Sequence, residues 1–264
     1  MTELVRKKIL ITVMTYPHPS ESYNELICVA GISEDQEWIR LYPVDYRYQP
    51  FERRFRKYQW IEVDLEPNGA QNDNRLESRN PVLDSLRILG EPLSCENNWE
   101  ARRKIINNMP CRTLNKLKQM HDSDNVSLGI VKPKNIIDLE ITPTTSVWKP
   151  KQQAIFSQLR LFERPPKPLR KIPYEFRYVF ECEDSDSPHK AMILDWELGV
   201  LFLKESDRLG SDEEAAKSVK HKFLDVLCDT FRDTRFFMGT RFPYNTWMVL
   251  GVFWPPRVLQ QSLF

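Results

Sequence analysis

Hydrophobic and polar positions alternate with period two in several short runs near the N-terminus. Lys8–Val13, Glu25–Ile32 and Trp38–Val44 are rich in Val, Ile and aromatic residues, and the turns Pro17-His18-Pro19-Ser20 and Glu34-Asp35-Gln36 separate them. Such runs predict strands, the last two forming a hairpin. In Trp38-Ile39-Arg40-Leu41-Tyr42 the alternation sets Trp38, Arg40 and Tyr42 on one face, Ile39 and Leu41 on the other. Tyr58–Leu65 reads as a further strand ended by Pro67-Asn68-Gly69. A polar loop over 69–81 then leads to a short strand over Ser85–Leu89.

The period then lengthens. Trp99–Asn108 predicts a helix capped by Asn97 or Asn98 and stopped by Pro110, and Arg112–His121 predicts a second, with Leu114 and Leu117 facing the core. Ser127–Leu139 returns to strand, interrupted at Pro133. Prolines 143, 150, 165, 166 and 168 bracket one helix, Lys151–Phe162, which carries Ile155, Leu159 and Phe162 on one face. Beyond it Tyr174, Phe176, Tyr178 and Phe180 alternate with Glu175, Arg177, Val179 and Glu181, and Lys190–Asp195 completes a hairpin. Trp196–Leu209 reads as helix. Ser211-Asp212-Glu213-Glu214 is a capping box opening a helix with Ala215, Ala216, Val219, Phe223, Val226 and Leu227 on one face. Arg235–Met238 and Trp247–Phe253 are closing strands, the last ended by Pro255-Pro256.

Strands, helices and strands follow one another without βαβ alternation, so the expected class is α+β. The pattern divides into a β-rich half over 1–142 with a helical insertion, a Pro-rich basic connector over 143–172 with one helix, and an α+β half over 173–264. Together they are expected to pack as one globular unit.

Composition sharpens this only in places. A hydrophobic share of 41% excludes wholesale disorder, and 19 Pro against 8 Gly point to rigid loops. The five cysteines are scattered and form no C-x-x-C pair, which fits reduced thiols in the cytoplasm better than a disulfide framework or a zinc site. No window approaches the ~18 apolar residues of a membrane span. The apolar start ends at Thr15-Tyr16-Pro17 without a small-residue cleavage site, so it reads as a strand and not a signal peptide. Net charge is only +1, so attraction to a polyanion must come from local segregation of charge.

Such segregation is present. Asp45–Trp60 interleaves five basic residues with six aromatic ones against two acids. Nucleic acids suit this mixture, cations meeting phosphates while rings and guanidinium planes stack on bases. A core role for Phe51, Phe55 and Tyr58, with the arginines merely solvated, is the competing explanation. Further basic clusters are Arg102, Arg103, Lys104, Arg112, Lys116 and Lys118, and a run from Lys149 to Arg177. Acids concentrate at 181–186 and 212–214. Catalytic chemistry has fewer candidates. Glu62 and Asp64 share one strand face, and Asp195 and Glu197 stand at a strand-to-helix junction where Asp195 also suits an N-cap. No E-x-K or D-x-K supplies the lysine of a restriction-type nuclease core. The four histidines form no metal-binding pair, and Cys182 with His189 falls short of a zinc site.

Several phrases resemble the fingerprint of an uncharacterised bacterial protein family. They are Thr15-Tyr16-Pro17 with Pro19-Ser20 and Tyr23-x-Glu25, Trp38-Ile39-Arg40-Leu41-Tyr42-Pro43, Ser127-Leu128-Gly129 with Pro133, Ile193-Leu194-Asp195-Trp196-Glu197-Leu198-Gly199, Phe236-Phe237-Met238-Gly239-Thr240, and Gly251-Val252-Phe253-Trp254-Pro255-Pro256. The resemblance runs nearly end to end and implies one integrated unit from a bacterial source, without assigning a catalytic residue. The hairpin and the Lys57-Tyr58-x-Trp60-Ile61 strand also resemble the small barrels of PUA-like readers of modified nucleic acid, a likeness of fold alone.

The expected function is therefore nucleic-acid binding, to DNA or RNA, in bacterial nucleic-acid processing or defence. Arg40, Tyr42, Arg47, Arg53, Arg54, Arg56 and Lys57 are the expected contacts, with Arg102 and Arg103 assisting. No cofactor is expected. One alternative is a nuclease or nucleotide hydrolase holding Mg²⁺ on Glu62, Asp64, Asp195 or Glu197. Another is a non-catalytic subunit whose charged faces and aromatic residues such as Trp247 and Trp254 meet protein partners.

Overall fold

The computed structural model describes residues 3–20, 24–67, 73–156, 168–241 and 245–258. The N-terminal part is built on strands β1 (Val5–Met14), β2 (His18–Ser20), β3 (Asn24–Leu26), β4 (Val29–Ser33), β5 (Trp38–Leu41), β6 (Trp60–Leu65), β7 (Ser78–Arg79) and β8 (Pro81–Leu89). Six of them form one sheet in the order β7-β5-β4-β1-β6-β8, while β2 and β3 make a separate ribbon. The expected β4–β5 hairpin is present, Val29 opposite Leu41 and Ile32 opposite Trp38. Only Asn80 separates the pairing of β7 with β5 from that of β8 with β6, so the sheet curls until one chain segment touches both margins. β7 and β8 nevertheless remain its edges, and the barrel suggested by the PUA-like likeness is not closed.

The rest comprises α1 (Glu96–Ile106), β9 (Cys111–Arg112), α2 (Leu114–Asp124), β10 (Leu128–Val131), β11 (Asn135–Pro143), α3 (Pro150–Phe156), β12 (Tyr174–Glu181), β13 (His189–Met192), α4 (Trp196–Leu209), α5 (Asp212–Lys220), β14 (Arg235–Arg241) and β15 (Thr246–Phe253). The architecture is α+β, as expected, and rich in strands. A four-stranded sheet runs β15-β14-β10-β9 and a three-stranded one β11-β12-β13. A bridge between Ile193 and Val249 links them. Strand pairing thus divides the chain earlier than residue 142. β10 pairs with β14 and β11 with β12, so both belong with the C-terminal sheets. Periodicity marks strands, but their partners are set by long-range packing.

Local signals explain most helix ends. Asp195 caps α4 by accepting from the Glu197 N–H, and Gly210 closes it in the left-handed conformation that its missing Cβ permits. Ser211 accepts from the Glu214 N–H at the start of α5, which continues into a π-helical turn over His221–Val226. α1 departs from expectation. Asn97, Asn98 and Trp99 have φ of 47°, 59° and 62°, so they form a left-handed turn before the right-handed helix, and neither Asn acts as its cap. The helix expected over Lys151–Phe162 is present as α3, and its positions beyond 156 lie outside the described residues. Among the described residues, no helix is long and apolar enough to cross a membrane.

Three apolar clusters hold the molecule together. One fills the concavity of the N-terminal sheet, with Ile9, Ile11, Val29, Ile39, Leu41 and Phe55. One packs α2, α4 and α5 on the C-terminal sheets, around Phe176, Tyr178, Phe180, Phe202 and Phe236. The third joins the two parts, because Val13, Ala30, Ile32, Tyr58 and Trp99 meet Leu128, Ile130, Phe237, Met248, Leu250 and Phe253. β1 is therefore buried on both faces, Ile9 and Ile11 in one core and Val13 in another. Each large side chain in this joint contributes about 1.5–3 kcal/mol, so the two parts stand or fall together.

Candidate functional site

Two polar bridges cross the joint. In the first, Arg40 on β5 is 1% exposed and donates to the Ser127 carbonyl at 2.9 Å, to its Oγ at 3.1 Å and to Cys28 Sγ at 2.7 Å. Glu77 accepts from the N–H of Ser127 and from its Oγ at 2.6 Å, so an arginine and a carboxylate of the N-terminal part share one serine of the other. Burial lowers the Arg40 pKa, opposed by the carboxylates of Glu77 and Asp73.

In the second bridge, Lys57 reaches from the turn before β6 to the start of α4. Its Nζ lies 3.0 and 3.3 Å from the Asp195 oxygens and 2.9 Å from Glu197 Oε2. Asp195 is buried, and Glu197 is 56% exposed. Burial works against the Lys57 charge, but Asp195 and Glu197 outweigh it and raise its pKa. Burial pushes Asp195 up, against the pull of Lys57. The backbone closes around this pair: the Tyr16 N–H donates to the Leu194 carbonyl at 2.9 Å, and a Cβ at Gly199 would overlap the Tyr16 ring.

Beside the Lys57 bridge a cavity of about 840 Å³ opens between α1, α4 and α5, lined by Tyr58, Trp99, Arg102, Glu197, Lys222 and Trp254 among others. The Arg102 guanidinium carbon lies over the Tyr58 ring, 3.9 Å from its centroid, and 4.8 Å from that of Trp99. Its Nε is tied to the Leu93 carbonyl at 2.8 Å. Trp254 stands edge-on to Trp99 at 4.9 Å and carries Lys222 at 5.2 Å and Arg232 at 5.0 Å on its ring. Among the described residues no carboxylate pairs with Arg102, Lys222 or Arg232. Arg102 and Lys222 thus line the recess with their charges on ring faces and, among the described residues, without a carboxylate partner, while Glu197, Glu205 and Glu214 on the same wall are paired with Lys57, Arg208 and Lys217.

The backbone of this cleft is strained. Tyr58 has φ of 63° and Trp99 of 62°, a region that bulky residues rarely occupy. Burial raises the Tyr58 pKa, so its hydroxyl stays protonated through neutral pH. That hydroxyl has no hydrogen-bond partner among the described residues.

The segment that led the sequence reading is differently disposed. Arg47 pairs with Glu25, Arg53 with Asp84 and Arg56 with Glu91. Arg54 donates to the carbonyls of Gln49 and Arg47, folding back on its own loop. Phe55 is sealed in the N-terminal core and Tyr46 packs on it, while Phe51 is 80% exposed. Arg40 and Lys57, expected as contacts, are interior groups, because the face of β5 that reads as polar is covered by the C-terminal part. Tyr42 is half-buried at the end of β5, its N–H on the Arg79 carbonyl. Arg103 donates to the Asn98 and Pro256 carbonyls and lies 3.8 Å from Asp233. Of the expected contacts, Arg102 alone lines the cleft.

The carboxylate candidates fall into two separately held pairs. Glu62 and Asp64 face Arg6, which bonds Asp64 at 2.7 and 3.0 Å. Asp195 and Glu197 receive from Lys57 the lysine that their neighbourhood in sequence lacks, but as an ion pair that occupies both Asp195 oxygens and Glu197 Oε2. Among the described residues no three His, Cys, Asp or Glu side chains gather as metal ligands. Sequence reasoning missed the pairing of Lys222 and Arg232 with Trp254. The spacing of Trp99 and Arg102, one helical turn apart, was the available hint.

These features define a two-part α+β protein with an aromatic cleft at the joint lined by both cations and carboxylates. The family model described as Domain of unknown function (DUF8757) matches residues 110–264, more than half of the chain, and the chain belongs to that family. A second model, Domain of unknown function (DUF8758), matches residues 5–108. The two matches meet near residue 109, between α1, which follows the last strand of the N-terminal sheet, and β9, the first strand of the C-terminal sheets. A search of curated proteins finds no match.

Proposed function

We propose that the protein binds nucleic acid and does so at the cleft between α1, α4 and α5. The observation that supports this is the pair of cations Arg102 and Lys222, held on the rings of Tyr58, Trp99 and Trp254 where they line a recess of about 840 Å³. Phosphates need positive charge that is not already neutralised, and bases need flat surfaces to stack on. In the basic run over 45–60, Arg47, Arg53 and Arg56 are paired with carboxylates, and Arg54, which keeps its charge, is folded back on the carbonyls of its own loop. The cleft combines both.

Fluorescence anisotropy with labelled DNA and RNA, single- and double-stranded, across a salt series tests this. Affinity is expected to fall steeply with salt, and Arg102→Ala with Lys222→Ala is expected to reduce the log–log slope by about one to two phosphate contacts. Absence of binding to every strand form, or binding indifferent to salt, would overturn it. A co-purifying protein without nucleic acid would favour the subunit alternative instead.

A further inference from the structure

We infer that a second recess, on another face of α1, seats a ribose–phosphate unit and so makes the protein prefer RNA to DNA. This rests on the nucleic-acid reading above and narrows it to strands that carry a 2′-hydroxyl.

The turn that opens α1 shapes this recess. Asn97, Asn98 and Trp99 are all left-handed, a conformation that side chains normally adopt one residue at a time and that costs most for a large one. Packing holds it in place. Trp99 is buried among the rings of Tyr58, Phe253 and Trp254, and Arg103 Nε donates back to the Asn98 carbonyl at 2.8 Å. With Trp99 fixed inward, Asn97 and Asn98 are exposed. They line a recess of about 620 Å³ together with Asn107, Asn108, Arg103 and Lys104, a size within the range of small-ligand sites.

Four of the protein's 13 asparagines thus share one recess. Among the described residues no hydrogen bond engages their side-chain amides, which leaves them to water or a ligand. An amide offers donors and an acceptor together, which suits a sugar hydroxyl, whereas a bare oxyanion takes donors alone. Glu100 on the same wall is a further acceptor. It pairs with Lys104 at 2.9 Å, but both side chains lie mostly in solvent, where such a pair is weak and Lys104 can turn to a phosphate. No aromatic ring is among the described lining residues, so the recess suits a sugar better than a base. The 2′-hydroxyl, both donor and acceptor, is the group by which such a site tells RNA from DNA.

Arg103 supplies a charge that is not cancelled. Its Nη2 donates to the Pro256 carbonyl, and its Nη1 has no hydrogen-bond partner among the described residues. Asp233, 3.8 Å from Nη1, already pairs with Lys132 at 2.8 Å and with Arg235 at 2.6 Å. Three cations around one carboxylate leave positive charge for an anion, and Arg, Lys and Asn side chains are regular partners of phosphate oxygens. Arg102, the preceding residue, lines the cleft instead. α1 therefore separates a place for bases from a place for the backbone that joins them.

Anisotropy with labelled single strands of one sequence in three forms tests this: RNA, DNA, and RNA methylated at its 2′-oxygens. RNA is expected to bind at least about ten-fold tighter than the other two. Asn97→Gly with Asn98→Gly removes two amides and leaves residues at ease at positive φ, and Asn107→Ala with Asn108→Ala removes the other two. Each pair should cut the preference for RNA to about three-fold or less. Neither should change the salt slope, since amides carry no charge, whereas Lys104→Ala should lower it by about one contact for RNA and DNA alike. Asn135→Ala, at an exposed asparagine of β11, should change neither quantity. Thermal unfolding of each variant checks that it folds. Equal binding of RNA and DNA, equal binding of RNA and its methylated form, or a preference that survives both pairs overturns the inference while leaving salt-dependent nucleic-acid binding in place. If no strand binds, the shift in melting temperature with AMP and with dAMP decides. A shift with AMP alone that is lost in Asn107→Ala with Asn108→Ala keeps the recess and removes the nucleic-acid reading. The same response to both nucleotides, or none, removes both.

Discussion

Lys57 and Asp195 are 138 residues apart in the chain, yet the Lys57 ammonium lies 3.0 Å from the Asp195 carboxylate inside the joint between the two parts. Neither charge is tolerable there alone. Buried ion pairs are often no more stabilising than apolar residues of the same shape, but removing one partner strands the other. Lys57→Met is accordingly expected to lower stability by about 3–5 kcal/mol, and adding Asp195→Asn should recover much of that loss. Urea denaturation of the two single variants and the double variant measures it.

The same pair predicts an alkaline dependence. The folded pKa of Lys57 is raised, so its contribution is complete below the unfolded lysine value of about 10.4 and is lost as pH rises beyond it. Above that pH the native protein should lose stability more steeply than Lys57→Met. Parallel pH profiles of the two proteins would exclude this.

Tyr58→Phe removes a buried hydroxyl that has no partner. It should leave stability unchanged or raise it by about 1 kcal/mol, whereas removing a bonded hydroxyl such as that of Tyr178 should lower it by a similar amount. Melting curves of the two Tyr→Phe variants give the comparison. A marked loss in Tyr58→Phe would mean that the hydroxyl has a partner in solution.

Arg40→Met should destabilise by about 1.5–3 kcal/mol, because the buried Ser127 carbonyl and hydroxyl lose a charged donor and Glu77 loses a nearby positive charge. The salt slope of nucleic-acid binding should not change, since Arg40 does not reach the surface. A reduced slope without loss of stability would place Arg40 in the interface after all.

Thiol reactivity should follow burial. Cys95 and Cys111 are exposed and should alkylate first in the native protein. Cys182 is buried, and burial pushes the Cys228 thiol up to about 12, so both should react only on unfolding. Cys95 also lines the cleft, so bound nucleic acid should protect it and leave Cys111 reactive. Mass spectrometry after timed alkylation reads each site.

Local chemistry alone determined much of this protein. The caps at Asp195 and Ser211, the break at Pro133, the β4–β5 hairpin and the alternation of Tyr174, Phe176, Tyr178 and Phe180 all follow from spacing and side-chain type, because helices and strands impose fixed periods on neighbouring residues. The phrases that resembled a family fingerprint were legible too, though not their role. Thr15 bridges Asp195 and Arg40 reaches Ser127 across the joint, so these phrases help to build it. What the chain could not declare is what covers each face. Alternation put Arg40 opposite Leu41, but only the arrival of the C-terminal sheet turned that face from surface to interior. The same event buried Lys57 and brought Arg102 and Lys222 to one cleft, whereas the arginines around Lys57 are paired within the N-terminal part itself. Charge and ring content are properties of residues, whereas exposure belongs to the packed molecule and depends on contacts between segments more than a hundred positions apart.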